Sequence, residues 1–288
     1  MNTETTELEF TASDLQDLRL AKIKLETNNL VAQIADLVSK PTQALLKRLP
    51  KQWNAVIGKA TQGALFKGLE FVMLTMGNTQ PRASRNRLHK VLVTTSGMIG
   101  GAAGLTTSLI ELPVSTCLVL RSIADIARSE GHDITQPEIK LACLEVLALS
   151  GQHSDEEVLG EGYWAVRSVL AKSVSEAAAY IAEKGLVEEG APPLAKLIAK
   201  IAARFSTVVS EQLAAKAVPI VGAVAGGTIN LLFMQHFQAM AIGHFIIKRL
   251  EAKYGSERVE KMYAECDRLD AKTLLPANKT LPTRSTLP

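Results

Sequence analysis

The side chains best suited to chemistry in this sequence sit in its least polar text. His236 and His244 lie in the stretch from Ala217 to Ile247, 31 residues without a Lys, Arg, Asp or Glu. Eight positions apart, they stand about 80° apart around a helix axis and share only a broad face. Zinc ligands on a helix normally sit three or four apart, and no H-E-x-x-H occurs, so the spacing favours buried or interfacial histidines over a metal. The run His153-Ser154-Asp155-Glu156-Glu157 lacks a second His and reads as a surface loop leading into a helix. Glu111 is the one charged residue between Val91 and Leu120. A carboxylate in such text must be paired, protonated or at a water-facing break, and Pro113 offers a break by kinking or ending the helix. Pairing with Arg121, or with backbone N–H groups freed at the kink, is the plainest expectation for it. Asn230 is a buried amide of the kind that ties helices together. Cys117 lies in an apolar run and reads as inert core. There is no G-x-S-x-G elbow, no G-x-x-x-x-G-K-[ST] loop and no G-x-G-x-x-G order after a strand. No catalytic residue, metal ligand or cofactor is assigned. Glu111, Asn230, His236 and His244 form the candidate buried polar site.

Long helices must position these groups. Ala217–Ile247 is apolar on nearly every face, so it is buried in protein or in lipid. Gly222 and Gly226 share one face there, where another backbone can approach. Val91–Leu120 has the same plan, with Gly97, Gly100, Gly101 and Gly104 at overlapping four-residue spacings. Both stretches end in a basic helix terminus and a glycine, Gly131 and Gly255, a weak sign of a pseudo-repeat. These packing glycines predict that the two segments touch. Amphipathic helices surround them. One runs from Asp14, capped by Ser13, through Leu18, Ile34 and Val38; another covers Gln52–Met76. A third starts at Pro137, a fourth covers Gly162–Lys184, and a fifth Leu194–Ala217. No strand pair is evident. The prediction is an all-α, multi-helix bundle around two long Gly/Ala-rich apolar segments. Residues 1–13 are expected to be a disordered N-terminus, 14–271 one helical domain, and 272–288 a flexible tail.

Composition limits the class. The chain has 288 residues, with 47% apolar, 5% aromatic and 21% charged, too many charges for a polytopic membrane protein. The three cysteines, Cys117, Cys143 and Cys266, are widely spaced and form no C-x-x-C, which suits a reducing compartment. The start is acidic rather than basic and apolar, unlike a signal peptide. Net charge is +3, but it is unevenly spread. Residues 18–90 carry thirteen Lys or Arg against three acids, a balance of +10, and residues 151–190 carry three against eight, a balance of −5. The basic excess ends in Arg82, Arg85, Arg87 and Lys90, just before apolar text, an arrangement suited to anionic lipid headgroups. No aromatic side chains interleave with these cations, so nucleic acid is not an expected partner. Oligomeric state is not indicated.

Several stretches together resemble the EcsC protein family. They are Gly100-Gly101-Ala102-Ala103-Gly104, Glu111-Leu112-Pro113, Arg121 to Ala127, Cys143-Leu144-Glu145-Val146, Gly162-Tyr163, Val218 to Gly222, Asn230, and the run His236-Phe237-Gln238 through Gly243-His244-Phe245. The resemblance covers about residues 50–265; many members carry Asp soon after the Leu-Pro, where this chain has Ser115. It implies a bacterial, mainly helical protein working near the inner face of the membrane beside a transporter. Some members carry a peptidase label. The expected function is a non-enzymatic, cytoplasmic protein with peripheral inner-membrane association or lipid binding. Its expected partners are a membrane surface or anionic lipid, with a membrane protein as a further candidate. The alternatives are a hydrolase or peptidase, or a structural adaptor in a membrane complex.

Overall fold

The computed structural model describes residues 9–38, 53–75, 105–150, 161–185, 191–216 and 219–266. Within them the chain forms helices and no strand. In chain order these are α1 (Ala12–Glu26), α2 (Leu30–Val38), α3 (Trp53–Thr75), α4 (Leu105–Ser129), α5 (Pro137–Ala148), α6 (Glu161–Lys184), α7 (Pro192–Lys216), α8 (Pro219–Tyr254) and α9 (Ser256–Glu265). The basic quartet Arg82, Arg85, Arg87 and Lys90, the glycines Gly97, Gly100, Gly101 and Gly104, the His153 run and the 272–288 tail lie outside the described residues.

Local sequence explains most helix ends. Thr11, not Ser13, caps α1: its Oγ1 accepts the Asp14 N–H at 3.1 Å. The expected single helix from Asp14 to Val38 is two helices, because Asn29 Oδ1 accepts the Ala32 N–H at 3.0 Å and starts α2 afresh. Pro137 opens α5 at a position where no backbone donor is needed. Gly131, Gly185 and Gly255 stand at φ of 88°, 69° and 86°, the left-handed region in which a side chain is strained, and each follows a helix or its last turn. Pro113 does not end its helix. α4 runs through it from Leu105 to Ser129, and the missing N–H leaves the Leu109 carbonyl without its usual donor.

α8 is the organising element. It packs against α1, α2, α4, α5, α7 and α9, while α3 packs chiefly on α4 and α7. The core runs without interruption from Leu18 in α1 to Tyr263 in α9, with Phe205, Phe233 and Phe237 forming an aromatic knot between α7 and α8. α4 and α8, which carry the described parts of the two apolar segments, pack against each other. Among the described residues, close approaches occur at Gly68 and Gly243. A Cβ on Gly68 would stand 2.4 Å from Leu120 Cδ1, between α3 and α4. A Cβ on Gly243 would stand 2.6 Å from Leu25 Cγ and 3.0 Å from the Ala21 carbonyl oxygen, between α8 and α1. Gly222 and Gly226 lie in the first turns of α8.

Residues 9–13, expected to be part of a disordered terminus, are held in place. Phe10 stacks on Tyr254 with ring centroids 4.0 Å apart. Asp14, buried at the start of α1, accepts from Lys253 Nζ at 2.6 Å, Tyr254 Oη at 2.7 Å and Thr11 Oγ1 at 2.7 Å. Arg249 reaches Asp17 at 2.9 Å and Glu130 at 3.4 Å. Lys22 donates to the carbonyls of Tyr263 and Cys266 at 2.8 and 2.7 Å, satisfying the C-terminal end of α9.

Candidate functional site

The polar residues of α8 serve different neighbours rather than one pocket. Asn230 accepts from Gln212 Nε2 of α7 at 2.8 Å. Gln238 donates to Ser122 of α4 at 2.8 Å. The backbone carbonyl of His236 accepts from Asn28, in the α1–α2 turn, at 2.9 Å. Burial lowers the His236 imidazole to about 4, against a smaller opposing influence from the Asn28 backbone. His244 faces α5 and α6. The four candidate residues are therefore not brought together. Asn230, His236 and His244 each tie α8 to a different neighbour, as expected of Asn230 alone, while Glu111 lies on α4.

The densest chemical constellation centres on His244. The ring has no solvent exposure. Its Nδ1 lies 3.1 Å from Tyr163 Oη of α6, and its Nε2 lies 3.7 Å from Glu145 Oε2 of α5. One turn and two turns further along α8 come Lys248 and Glu251. Glu251 receives both guanidinium nitrogens of Arg167, at 2.7 and 2.8 Å, and also Ser256 Oγ at 3.1 Å. The Arg167 guanidinium lies over the rings of Tyr163 and Trp164, 5.4 and 5.1 Å from their centroids. Tyr163 and Trp164 in turn pack on Tyr263 of α9, at 6.2 and 5.7 Å between centroids. His132 Nε2, from the α4–α5 turn, meets the Phe245 carbonyl at 2.9 Å. Burial pushes the Glu145 carboxyl up and holds His244 well below the usual imidazole range, the latter aided by Arg167, Lys248 and His132. Burial also raises the Tyr163 hydroxyl. A phenol held protonated in this way is not a nucleophile, and no member of the trio faces solvent.

Sequence reasoning selected His244 from this group and missed its partners. The Glu145, Tyr163 and Arg167 signals were present as polar residues inside otherwise apolar helix faces. Their helical spacing shows that much, but not which helices meet the imidazole.

Glu111 finds another partner than expected. Arg121 turns away, to Thr75 Oγ1 at 3.4 Å and the Phe71 ring at 6.0 Å. The electrostatic partner of Glu111 is Lys216, the last residue of α7. Burial raises the Glu111 carboxyl, and Lys216 opposes that rise. Burial likewise lowers Lys216 to about 8, opposed by Glu111. Flanking Glu111, Ile110 and Val114 stand one turn apart on a face that is 77% and 59% exposed. Cys117 is half-buried, and burial raises its thiol above the usual range, which disfavours the thiolate.

Among the described residues, no group of three or more His, Cys, Asp or Glu side chains is placed to hold a metal ion. Nor is any described helix long and apolar enough to cross a membrane. A family model, the EcsC protein family, matches residues 13–250. No curated protein and no solved structure matches the chain.

Proposed function

This chain belongs to the EcsC protein family, and from that premise we propose that it is a non-enzymatic helical protein that binds anionic lipid peripherally. Its place of work is the cytoplasmic face of the inner membrane, alongside a membrane protein such as a transporter. The observation that carries the reading is the exposed apolar pair Ile110 and Val114 near the start of α4. Large aliphatic side chains at 77% and 59% exposure, one turn apart on the same face, favour transfer to an apolar environment. In the sequence, the basic text that contains Arg82, Arg85, Arg87 and Lys90 precedes that helix by 14 residues, 91–104. Each cation contributes about 1 kcal/mol near an anionic surface, less as salt rises. The apolar pair supplies shallow insertion. The polar residues Asn230, Gln235, His236, Gln238 and His244 make full insertion of α8 expensive, which favours a peripheral position.

Co-sedimentation with liposomes tests this. The wild-type chain should pellet with vesicles containing anionic lipid and be released by salt and by high-pH carbonate. Replacing the four cations by Gln, and separately Ile110 and Val114 by Ser, should each reduce pelleting at least several-fold. Equal binding by wild type and both variants would remove these residues from the mechanism. No binding to any vesicle would discard lipid binding and leave the adaptor role.

A further inference from the structure

Glu145 and His244 face each other at 3.7 Å in a space closed to solvent, at the junction of α5, α6 and α8. Burial disfavours a charge on either group. The surrounding groups make a proton on His244 costly. Arg167 faces the pair from α6, Lys248 from α8 and His132 from the α4–α5 turn, and all three oppose a charge on His244. Among the described residues Glu251 is the remaining acid, and both of its oxygens are taken by Arg167. Besides Arg167, α6 brings the neutral phenol of Tyr163, and α9 that of Tyr263. A proton arriving on His244 makes a buried imidazolium among cations.

The chain can relieve that charge in one place. The first turns of α6 are fastened to α8 and α9 by the Tyr163–His244 contact, the Arg167–Glu251 pair and the packing of Tyr163 and Trp164 on Tyr263. We propose that His244, packed against Glu145, is an acid-operated latch: a proton taken from solvent by its imidazole releases the start of α6 from α8 and bares the Tyr163–Trp164–Tyr263 aromatic cluster. His244 is held below its ordinary value of 6.5 while buried and regains that value once exposed. The open form therefore binds the proton that the closed form refuses. Opening should increase about tenfold for each pH unit below about 6.5. At and above neutral pH the latch stays closed.

The test uses the full chain with Trp53→Phe, which leaves Trp164 as the single tryptophan, since the chain has two. Acrylamide quenching of Trp164 and amide exchange in α6 are followed from pH 8 to pH 5. Both should rise steeply below about 6.5 with one-proton dependence. His244→Gln should abolish the rise in this window, whereas Glu145→Gln, which leaves the imidazole in place, should keep it. Lys248→Gln removes an opposing cation from a partly exposed position, so the buried imidazole charges more easily and opening should shift to lower pH. A flat wild-type profile, or an unchanged rise in His244→Gln, would overturn the latch. Should His244→Gln fail to fold, Lys248→Gln decides: an unmoved midpoint overturns the proposal, and an acid shift sustains it.

Discussion

Asp14 shows how much one side chain can organise here. Only 4% of it is exposed, yet it holds Lys253, Tyr254 and Thr11 at hydrogen-bond distance, with Arg249 at 3.8 Å. Burial by itself raises a carboxyl, but here the hydrogen bonds from Lys253, Tyr254 and Thr11 outweigh it and hold Asp14 well below the usual carboxylate range. The sign of the linkage follows. The stabilisation is fully present above the unfolded value of about 4 and is lost as pH falls through the lower folded value. Asp14→Asn should cost about 2–4 kcal/mol at neutral pH, measured by urea denaturation, because a buried acceptor of charged donors is lost. The variant should also shed the matching part of the acid sensitivity below about pH 4. A loss under 0.5 kcal/mol would show that Asp17, which also holds Arg249, suffices to fasten α1. None of this was legible in the sequence. Asp14 appeared only as the start of a helical pattern, because its partners on α8 are more than 230 positions away. Local spacing carries no record of such contacts.

At the scale of elements the sequence was much more informative, and its errors have physical causes. The breaks at Gly131, Gly185 and Gly255 follow from backbone chemistry alone, as does the start of α5 at Pro137. Close approaches also occur at single glycines, Gly68 and Gly243, which four-residue spacing does not select. A lone glycine in a helix has no spacing to reveal it. The two sites also differ in what they meet. At Gly243 a methyl group would press on the branching carbon of Leu25 and on the Ala21 carbonyl oxygen, a backbone atom fixed by its own helix. At Gly68 it would press on a terminal methyl of Leu120, which can rotate aside. Gly→Ala gains about 1 kcal/mol of helix propensity at either position. Overpacking outweighs that gain where the neighbour cannot yield. Gly243→Ala should therefore lower stability by about 1–3 kcal/mol, and Gly68→Ala should lie within about 1 kcal/mol of wild type. Thermal unfolding of the two variants in parallel checks the order. If Gly68→Ala proves the more damaging, the α1–α8 contact is softer than the α3–α4 contact.

The pH response of the whole molecule sums groups of opposite sign, so it is best read as a difference. Glu111 and Glu145 have raised carboxyls, and the folded chain keeps their protons as pH rises above the unfolded value of 4.5. The buried histidines act the other way. His132, His236 and His244 are all lowered, so below about 6.5 the unfolded chain binds protons that the folded chain refuses, and stability falls with pH. His236 is the cleanest member, because no other titratable side chain contributes to its shift, and burial takes it to about 4. Between its unfolded value of 6.5 and pH 5 it should cost about 2 kcal/mol, at about 1.4 kcal/mol per unit. His236→Phe removes this titration. Its ring volume is similar, and its site beside Phe237 is already aromatic. Urea denaturation at pH 7 and pH 5 should then show the wild type losing about 2 kcal/mol more than the variant over that interval, whatever the variant's stability at pH 7. Because both chains carry the same glutamates, lysines and remaining histidines, those contributions cancel. Parallel losses in the two chains would mean that His236 takes its proton in the folded state, and that the α1–α2 turn around Asn28 admits water to the ring.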